Sequence, residues 1–298
     1  MNKSKIEWCD MTWNPVTGCL HNCPYCYARR IANRFGGASE THYNECVGEE
    51  CQWCTEETGK THDLIAPIYD VDRGHHAPYP FGFDPTFFRY RLDEPARKTK
   101  PQKIFVCSMA DLFGDWVPDE WIGEVFNVVM ETDHQYLFLT KNPKRYDNAI
   151  AYYANEERGF GLKEGCWDNC WFGTTVTHQE ETGRVAELLK FEEGHKFVSI
   201  EPILGAIDFL SDDYLGGCIN CEVCLDNPKT CINCAQNRKI DWVIIGAQTG
   251  PGAVPPKREW VESIVQQCKA AGTPVFMKNS LKDLMGDDFI QEWPEGLR

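Results

Sequence analysis

The chain has 298 residues, of which 42% are hydrophobic, and this is enough for a sizeable buried core. No stretch approaches the roughly 20 apolar residues of a membrane span, and the N-terminus lacks the apolar segment of a signal peptide, so we predict a cytoplasmic protein without a membrane partner. The net charge of −15 disfavours general electrostatic binding of nucleic acid. In a reducing compartment, 16 cysteines indicate metal binding rather than disulfides.

The first predicted strand covers Met11–Gly18, and the first predicted helix covers Tyr25–Phe35. Between them lie three cysteines in a C-x3-C-x2-C spacing, namely Cys19, Cys23 and Cys26. Three thiolates this close in sequence can converge on one metal centre. Because an iron–sulfur cluster normally takes four cysteine ligands, a cluster held here would leave one iron open. Two other interpretations remain: a zinc site completed by His21 or a distant residue, and ordinary buried thiols.

A long connection, residues 36–100, follows the first helix and shows no clear hydrophobic period. Loops of this length usually carry a function, such as covering a site or binding metal. Its cysteines are Cys46, Cys51 and Cys54. They predict a further metal site completed by one outside ligand, with Cys166, Cys170, a nearby histidine or a later cysteine as candidates. The alternative is that some are small buried residues.

From residue 103 onward, short apolar runs alternate with helical patterns. The predicted strands are Ile104–Met109, Tyr136–Thr140, Trp171–Val176, Phe197–Glu201, Trp242–Gly246 and Pro274–Lys278. The predicted helices are Pro118–Thr132, Pro143–Asn155, His178–Leu189 and Lys257–Ala271. Near-continuous apolar strands indicate a parallel sheet buried on both faces. Repeated β–α units then predict an α/β fold that is either doubly wound or a barrel.

Residues 211–239 interrupt this alternation and contain five closely spaced cysteines. These are Cys218, Cys221, Cys224, Cys231 and Cys234. The two C-x2-C pairs resemble a zinc knuckle or ribbon, whereas the first three cysteines resemble the start of a ferredoxin-type cluster loop. Since both metals accept four thiolates, the spacing predicts a second metal site that holds either zinc or a 4Fe–4S cluster.

Polar side chains end several of the predicted strands, and in β/α barrels the catalytic groups lie at these carboxyl ends. The strand-end candidates are Ser108, Asp111, Lys141, Ser199 and Glu201. Lys141 and Glu201 directly terminate apolar runs, so we expect both charges to point towards one mouth, onto which the cysteine loop also opens. A structural salt bridge or a strand-end cap is the alternative for each. Cys107 and Cys268 are predicted to be core residues.

Several segments, taken in order, together resemble one known family. They are Ile6-Glu-Trp, Thr12-Trp-Asn-Pro, Gly18-Cys, Phe105-Val-Cys-Ser-Met-Ala-Asp-Leu-Phe, Leu139-Thr-Lys-Asn-Pro, Val198-Ser-Ile-Glu-Pro-Ile-Leu-Gly and Trp242-Val-Ile-Ile-Gly. The series resembles a phage- and prokaryote-associated family of radical-S-adenosylmethionine (SAM)-like proteins of unknown function, over most of residues 5–20 and 101–280. Where that family usually has a glutamate after the sixth strand, this chain has Gln248.

The resemblance implies a single domain, residues 1–298, that forms a partial (β/α) barrel of the radical SAM type with insertions at 36–100 and 211–239. It implies that the three N-terminal cysteines hold a 4Fe–4S cluster whose fourth iron binds SAM, with Tyr25 near the adenine. Side chains expected to contact SAM or substrate are Ser108, Asp111, Lys141, Ser199, Glu201 and Gln248. A reductant such as ferredoxin or flavodoxin is the expected protein partner.

The activity that the resemblance implies is cleavage of SAM followed by hydrogen abstraction from an unidentified substrate. A nucleic-acid base is the first candidate, and a small metabolite or peptide is the next. Two other function classes remain open. One is a metal-stabilised binding module whose zinc knuckles recognise nucleic acid or protein. The other is an iron–sulfur electron carrier that does not use SAM.

Overall fold

The computed structural model describes residues 1–36, 54–58, 61–154, 165–209, 215 and 239–297. The chain divides into two compact units, each described here by itself. The first unit comprises Met1–Thr140 and Asn148–Cys166, and the second comprises Lys141–Asp147 and Trp167–Arg298. Cys54 begins a described strand and the candidate outside ligands Cys166 and Cys170 are described, whereas the other predicted accessory cysteines lie outside the described residues. These are Cys46, Cys51, Cys218, Cys221, Cys224, Cys231 and Cys234.

The main strands of the first unit lie in the order β1-β2-β9-β10. Their bounds are Asn2–Lys3 (β1), Met11–Trp13 (β2), Lys103–Val106 (β9) and Gln135–Thr140 (β10). Strands β2, β9 and β10 are parallel, with Trp13 opposite Val106 and Val106 opposite Phe138. This confirms the parallel pairing expected from the apolar runs. Carboxyl ends of parallel neighbours meet at one edge, which places the loops after β9 and β10 side by side.

The predicted strand Met11–Gly18 is wrong, because it is broken at Asn14-Pro15. Residues Val16–Thr17 form a separate strand, β3, which belongs to a different sheet. Pro15 has no N–H to donate to a continuing ladder, while its carbonyl accepts the backbone N–H of Phe88 at 2.7 Å. The break turns the chain so that it enters the cysteine loop from the second sheet.

This second sheet has the order β3-β8-β5-β4 and draws most of its strands from residues 36–100, the connection without a clear hydrophobic period. Its further strands are Cys54–Thr58 (β4), Thr61–Leu64 (β5) and Thr86–Phe88 (β8), and a separate hairpin joins Tyr69–Asp70 (β6) to His75–His76 (β7). Strands of two to five residues are too short to show a clear alternation in sequence. Residues 36–100 are therefore more than an insertion, because their strand β8 pairs with β3.

Three helices involve residues of the first unit: Tyr27–Phe35 (α1), Asp119–Met130 (α2) and Arg145–Ala154 (α3). They lie within the predicted helical ranges. Helix α2 begins with two acidic residues, which stabilise a helix N-terminus. It buries an apolar stripe at helical spacing, formed by Trp121, Ile122, Val125, Phe126 and Val129.

In the second unit four parallel strands lie in the order β11-β12-β13-β14. Their bounds are Cys170–Thr175 (β11), His195–Ile200 (β12), Trp242–Ile245 (β13) and Val275–Met277 (β14). The helices are Gly183–Lys190 (α4), Arg258–Ala271 (α5) and Lys282–Met285 (α6). The start of the predicted helix His178–Leu189 is wrong, because Gln179–Glu181 form a 3-10 turn before α4.

The described part of the chain thus has the predicted mixed α/β class, with parallel strands alternating with helices. Closure into a partial barrel stays a prediction, as does the single-domain organisation. Each helix among the described residues is too short or too polar to span a bilayer.

Candidate metal centre

The cysteine loop, residues 18–26, starts at a glycine that no other residue could easily replace. Gly18 has φ +87°, and a side-chain carbon there would overlap the carbonyl oxygen of Asp84. Its N–H donates to the carbonyl of Met109 at 2.9 Å, which fixes the loop beside the segment that follows β9. Asn22 turns the loop again with φ +55°, a conformation that asparagine tolerates. The loop ends where the Cys26 sulfur caps α1 by accepting the N–H of Arg29 at 3.3 Å.

The three thiols of the loop are all unoxidised and half-buried. Burial raises the pKa of the Cys19 thiol to about 12, a backbone hydrogen bond at His21 opposes this rise, and charges on Asp111, Cys23 and Cys26 add to it. The three sulfurs are therefore close enough for a charge on one to oppose a charge on another. In the absence of a cation, burial favours the neutral form of the Cys19 thiol.

This donor set fits a thiolate-bound metal in ligand type. Thiolates select zinc and iron–sulfur clusters, and three of them leave one position open on either. Metal binding would release the thiol protons and bring positive charge to the site. Among the described residues, however, no group of three or more His, Cys, Asp or Glu side chains is arranged to hold a metal ion.

Asp111 is the buried centre of a hydrogen-bond network beside the loop. His21 Nε2 lies 2.7 Å from one carboxylate oxygen, and the other oxygen accepts the Thr140 hydroxyl at 2.6 Å and the Phe113 N–H at 3.1 Å. The Trp116 ring packs edge-on against the His21 imidazole, at 4.8 Å between centroids. One carboxylate thus ties the cysteine loop to the carboxyl ends of β9 and β10.

A second set of contacts fixes the turn after β9. Cys107 is buried, as predicted, and has φ +56°. The next residue, Ser108, donates its hydroxyl to Asn14 Oδ1 at 3.1 Å, and its carbonyl accepts the Tyr27 hydroxyl at 2.5 Å. The Ser108 side chain is thus directed at Asn14. Tyr25, the residue expected near an adenine, is half-buried within the loop.

Arg29 places a positive charge against the cysteine loop. Its Nη2 donates to the carbonyl of Cys19 at 3.3 Å, and its guanidinium lies 5.1 Å from the centre of the Phe83 ring. Its Nε is buried and has no hydrogen-bond partner within the residues that the structure describes. An arginine held this way offsets the negative charge that three thiolates would bring.

In the second unit Glu201, which follows β12, forms an ion pair with Lys278, which follows β14. Glu201 Oε1 lies 2.5 Å from Lys278 Nζ, and both side chains are half-buried. A side-chain carbon on Gly246 would come within 3.0 Å of Lys278 Cδ and 3.1 Å of Glu201 Cδ, so this glycine makes room for the pair. The structure therefore pairs Glu201 with a residue that sequence analysis did not propose as its partner.

The charge of Lys141 acts on a different carboxylate, Glu181. Burial pushes the pKa of Glu181 up, but hydrogen bonds from Thr177 and the charges of Arg184 and Lys141 outweigh it, so the pKa lies below its usual value. The structure also locates the other two predicted contact residues of this unit. Ser199 is buried within β12, and Gln248 is half-buried beyond β13.

The structure therefore brings the predicted residues Cys19, Cys23, Cys26, Ser108 and Asp111 together in the first unit, and places Glu201 at a strand-end ion pair in the second. Sequence analysis missed the Asp111–His21 bond, the Arg29 contact and the Glu201–Lys278 pair. Lys278 carried the same signal as Glu201, a charge that ends an apolar run. For His21 the sequence indicated a possible zinc ligand and not a partner of Asp111, and Arg29 carried no signal beyond its closeness to the motif.

Comparison with known families gives a single result. A profile of the family described as "Protein of unknown function (DUF5131)" matches residues 3–283, nearly the whole chain. The chain belongs to this family. Comparison with curated proteins gave no match. Family membership assigns no activity, so the radical SAM chemistry and phage association implied by the resemblance stay predictions.

Proposed function

We propose that the chain is a radical SAM enzyme whose 4Fe–4S cluster is bound by Cys19, Cys23 and Cys26. The observation that supports this most is the cysteine loop itself. It presents three unoxidised thiols beside the carboxyl ends of parallel strands, where a buried carboxylate and an arginine fix its two sides. The three-cysteine count, with no fourth cysteine in the loop, favours an open metal position over a closed structural zinc site.

When bound, such a cluster carrying SAM at its open iron supplies one-electron chemistry that protein side chains cannot provide. The chain's own residues hold and orient it. Asp111 fixes His21 and so the middle of the loop, while Arg29 holds the carbonyl of Cys19 and contributes a compensating charge. Gly18 sets the direction in which the loop leaves β3.

The Glu201–Lys278 pair is the proposed contact for a polar substrate. It offers an acceptor and a cation side by side, and Gly246 leaves no side chain over it. A base carries both donors and acceptors on its edges, which keeps a nucleic-acid base as the first candidate substrate. The residues 218–234 are proposed to hold a second metal, zinc or a 4Fe–4S cluster, which would brace the fold or relay electrons.

The test is low-temperature electron paramagnetic resonance on anaerobically purified, dithionite-reduced protein, with and without SAM. We expect a cluster signal that changes when SAM is added, is lost in Cys23→Ala, and is kept in Cys268→Ala, whose thiol is buried in α5. A cluster signal indifferent to SAM would identify an electron carrier. Stoichiometric zinc without acid-labile sulfide would identify a binding module.

A further inference from the structure

Helix α1 presents its large apolar side chains to solvent instead of to the core. Its buried residues are only Ala28 and Ala32. Tyr27, Ile31 and Phe35, spaced four residues apart on one face, are 45%, 37% and 49% exposed. A surface helix normally turns such a stripe inward. This arrangement is the opposite of that seen in α2, which buries its apolar stripe.

The same helix carries exposed arginines, and the cysteine loop that precedes it has an exposed apolar side chain of its own. Leu20, within the loop, is 39% exposed. Arg30 and Arg34 are exposed on the same helix, and the Arg34 guanidinium lies 5.2 Å from the Phe35 ring centre. We call these six residues the α1 face: Leu20, Tyr27, Arg30, Ile31, Arg34 and Phe35. An apolar centre bordered by charge is the usual anatomy of a protein interface.

The charge of this face is opposite to that of the chain. Helix α1 carries three arginines and no Asp or Glu, whereas the net charge of the whole chain is −15. A partner attracted to this face must therefore be acidic, and it would be repelled by most other surfaces of the protein. Such local complementarity sets orientation and raises the association rate.

We infer that the α1 face is the docking surface for a small acidic electron-transfer protein; this rests on the function proposed above. Cys26 caps α1, so the face begins one residue from the proposed cluster ligands. One electron would pass from the reduced flavin or iron–sulfur centre of the carrier to the oxidised cluster, with no bond made or broken. Electron-transfer encounters use small interfaces, which suits a face of one short helix.

A single-stranded nucleic acid is the main competitor for this face. Tyr27 and Phe35 could stack on bases and the arginines could contact phosphates. Leu20 and Ile31 have no flat ring to offer, however, and Ile31 lies between Tyr27 and Phe35 on the helix. An aliphatic side chain at the centre of the stripe and exposed arginines on the same helix favour a protein partner.

The test compares how fast a reduced flavodoxin and dithionite each reduce the cluster of the full-length protein, followed by stopped-flow absorbance under anaerobic conditions. The variant is Arg30→Glu with Arg34→Glu. Lys98→Glu with Lys100→Glu reverses two exposed charges elsewhere and serves as the matched control. A second variant, Ile31→Asp, tests the apolar centre.

We expect flavodoxin to reduce the arginine variant at least about tenfold more slowly at low ionic strength, with the difference shrinking at roughly 0.5 M salt. Reduction by dithionite should be unchanged, and the control should stay within about twofold of the wild type. Equal flavodoxin rates in all proteins would overturn the docking surface and leave the cluster proposal standing. If the wild-type protein had no SAM-responsive cluster, both the docking surface and the cluster proposal would be contradicted. Loss of oligonucleotide binding, or of a dimer, in the variant would assign the face to those partners instead.

Discussion

At the scale of single residues, Gly18 decides how the chain enters the cysteine loop. Its φ of +87° is in the region that L-residues with side chains rarely adopt, and its missing side chain makes space for the backbone at Asp84. Both restrictions act one residue before the first proposed ligand. A substitution here therefore disturbs the loop without touching any thiol.

We predict that Gly18→Ala lowers the free energy of unfolding by at least about 3 kcal/mol or prevents folding, because backbone overlap adds to the φ penalty. Gly74→Ala is the control: Gly74 also has a positive φ, +69°, but a side-chain carbon there meets nothing within 4 Å. That variant should lose only about 1–2 kcal/mol. Urea denaturation followed by circular dichroism measures both, and equal losses would contradict the overlap.

Replacement of Asp111 should also destabilise the protein, because its carboxylate joins several segments. Asp111→Asn keeps the size but turns one acceptor oxygen into a donor, which must then face either His21 or the donors Thr140 and Phe113. We expect a loss of about 1–3 kcal/mol in unfolding free energy. Asp72→Asn, at an exposed position of the first unit, should stay within about 0.5 kcal/mol of the wild type.

At the scale of elements, the link between β11 and α4 depends on Glu181. One of its oxygens accepts the Thr177 N–H at 2.8 Å and the Thr177 hydroxyl at 2.9 Å, and the other lies 2.8 Å from Arg184. This carboxylate satisfies the backbone N–H of Thr177 between strand and helix, and it belongs to the 3-10 turn that replaces the predicted first turn of the helix.

The lowered pKa of Glu181 makes this link sensitive to acid. A carboxyl whose folded pKa lies below its unfolded value contributes stability above the unfolded pKa, and that stability is lost as pH falls through the folded pKa. Glu181→Gln should therefore be less stable than the wild type at pH 7, by about 1–2 kcal/mol. The difference should disappear in acid, below both pKa values. A difference of the same size at pH 7 and pH 3 would exclude the charge as its origin.

Elements were predictable from sequence where their periodicity was strong, as for α2 and for the buried parallel strands. The break in the first predicted strand was not. Pro15 divides the first predicted strand because the chain needs to change sheets there, and the partner that receives it, Phe88, is far away in sequence. The same limit applies to the site. The spacing of the cysteines was visible, but the bond between His21 and Asp111 joins residues 90 positions apart and depends on strand register.

At the scale of the whole molecule, the 16 cysteines divide into groups with different expected roles. Three are the proposed cluster ligands, some are buried core residues such as Cys268, and a cysteine-rich group lies outside the described residues. Because these groups lie in different parts of the sequence, metal analysis of variants can count the sites independently.

We predict that Cys221→Ala with Cys234→Ala removes either one zinc or about four iron and four sulfide per chain, since a tetrathiolate site loses half of its ligands. The SAM-responsive signal of the N-terminal cluster should remain. Elemental and sulfide analysis, run beside Cys23→Ala, measures this. Unchanged metal content in the double variant would show that residues 218–234 hold none.

The left-handed conformation of Cys107 constrains which sequences can keep this fold. The residue directly follows the apolar strand β9, which ends at Val106, and valine or isoleucine would be favoured there if the strand continued. At φ +56° a β-branched side chain is strained, while a small unbranched residue, asparagine or glycine is tolerated. We expect selection for function to reject Val and Ile at position 107 in a saturation library and to accept Gly, Asn and Ala. In that case the backbone conformation, and not thiol chemistry, limits the residue at position 107. Exchange among the tolerated residues would leave function unchanged.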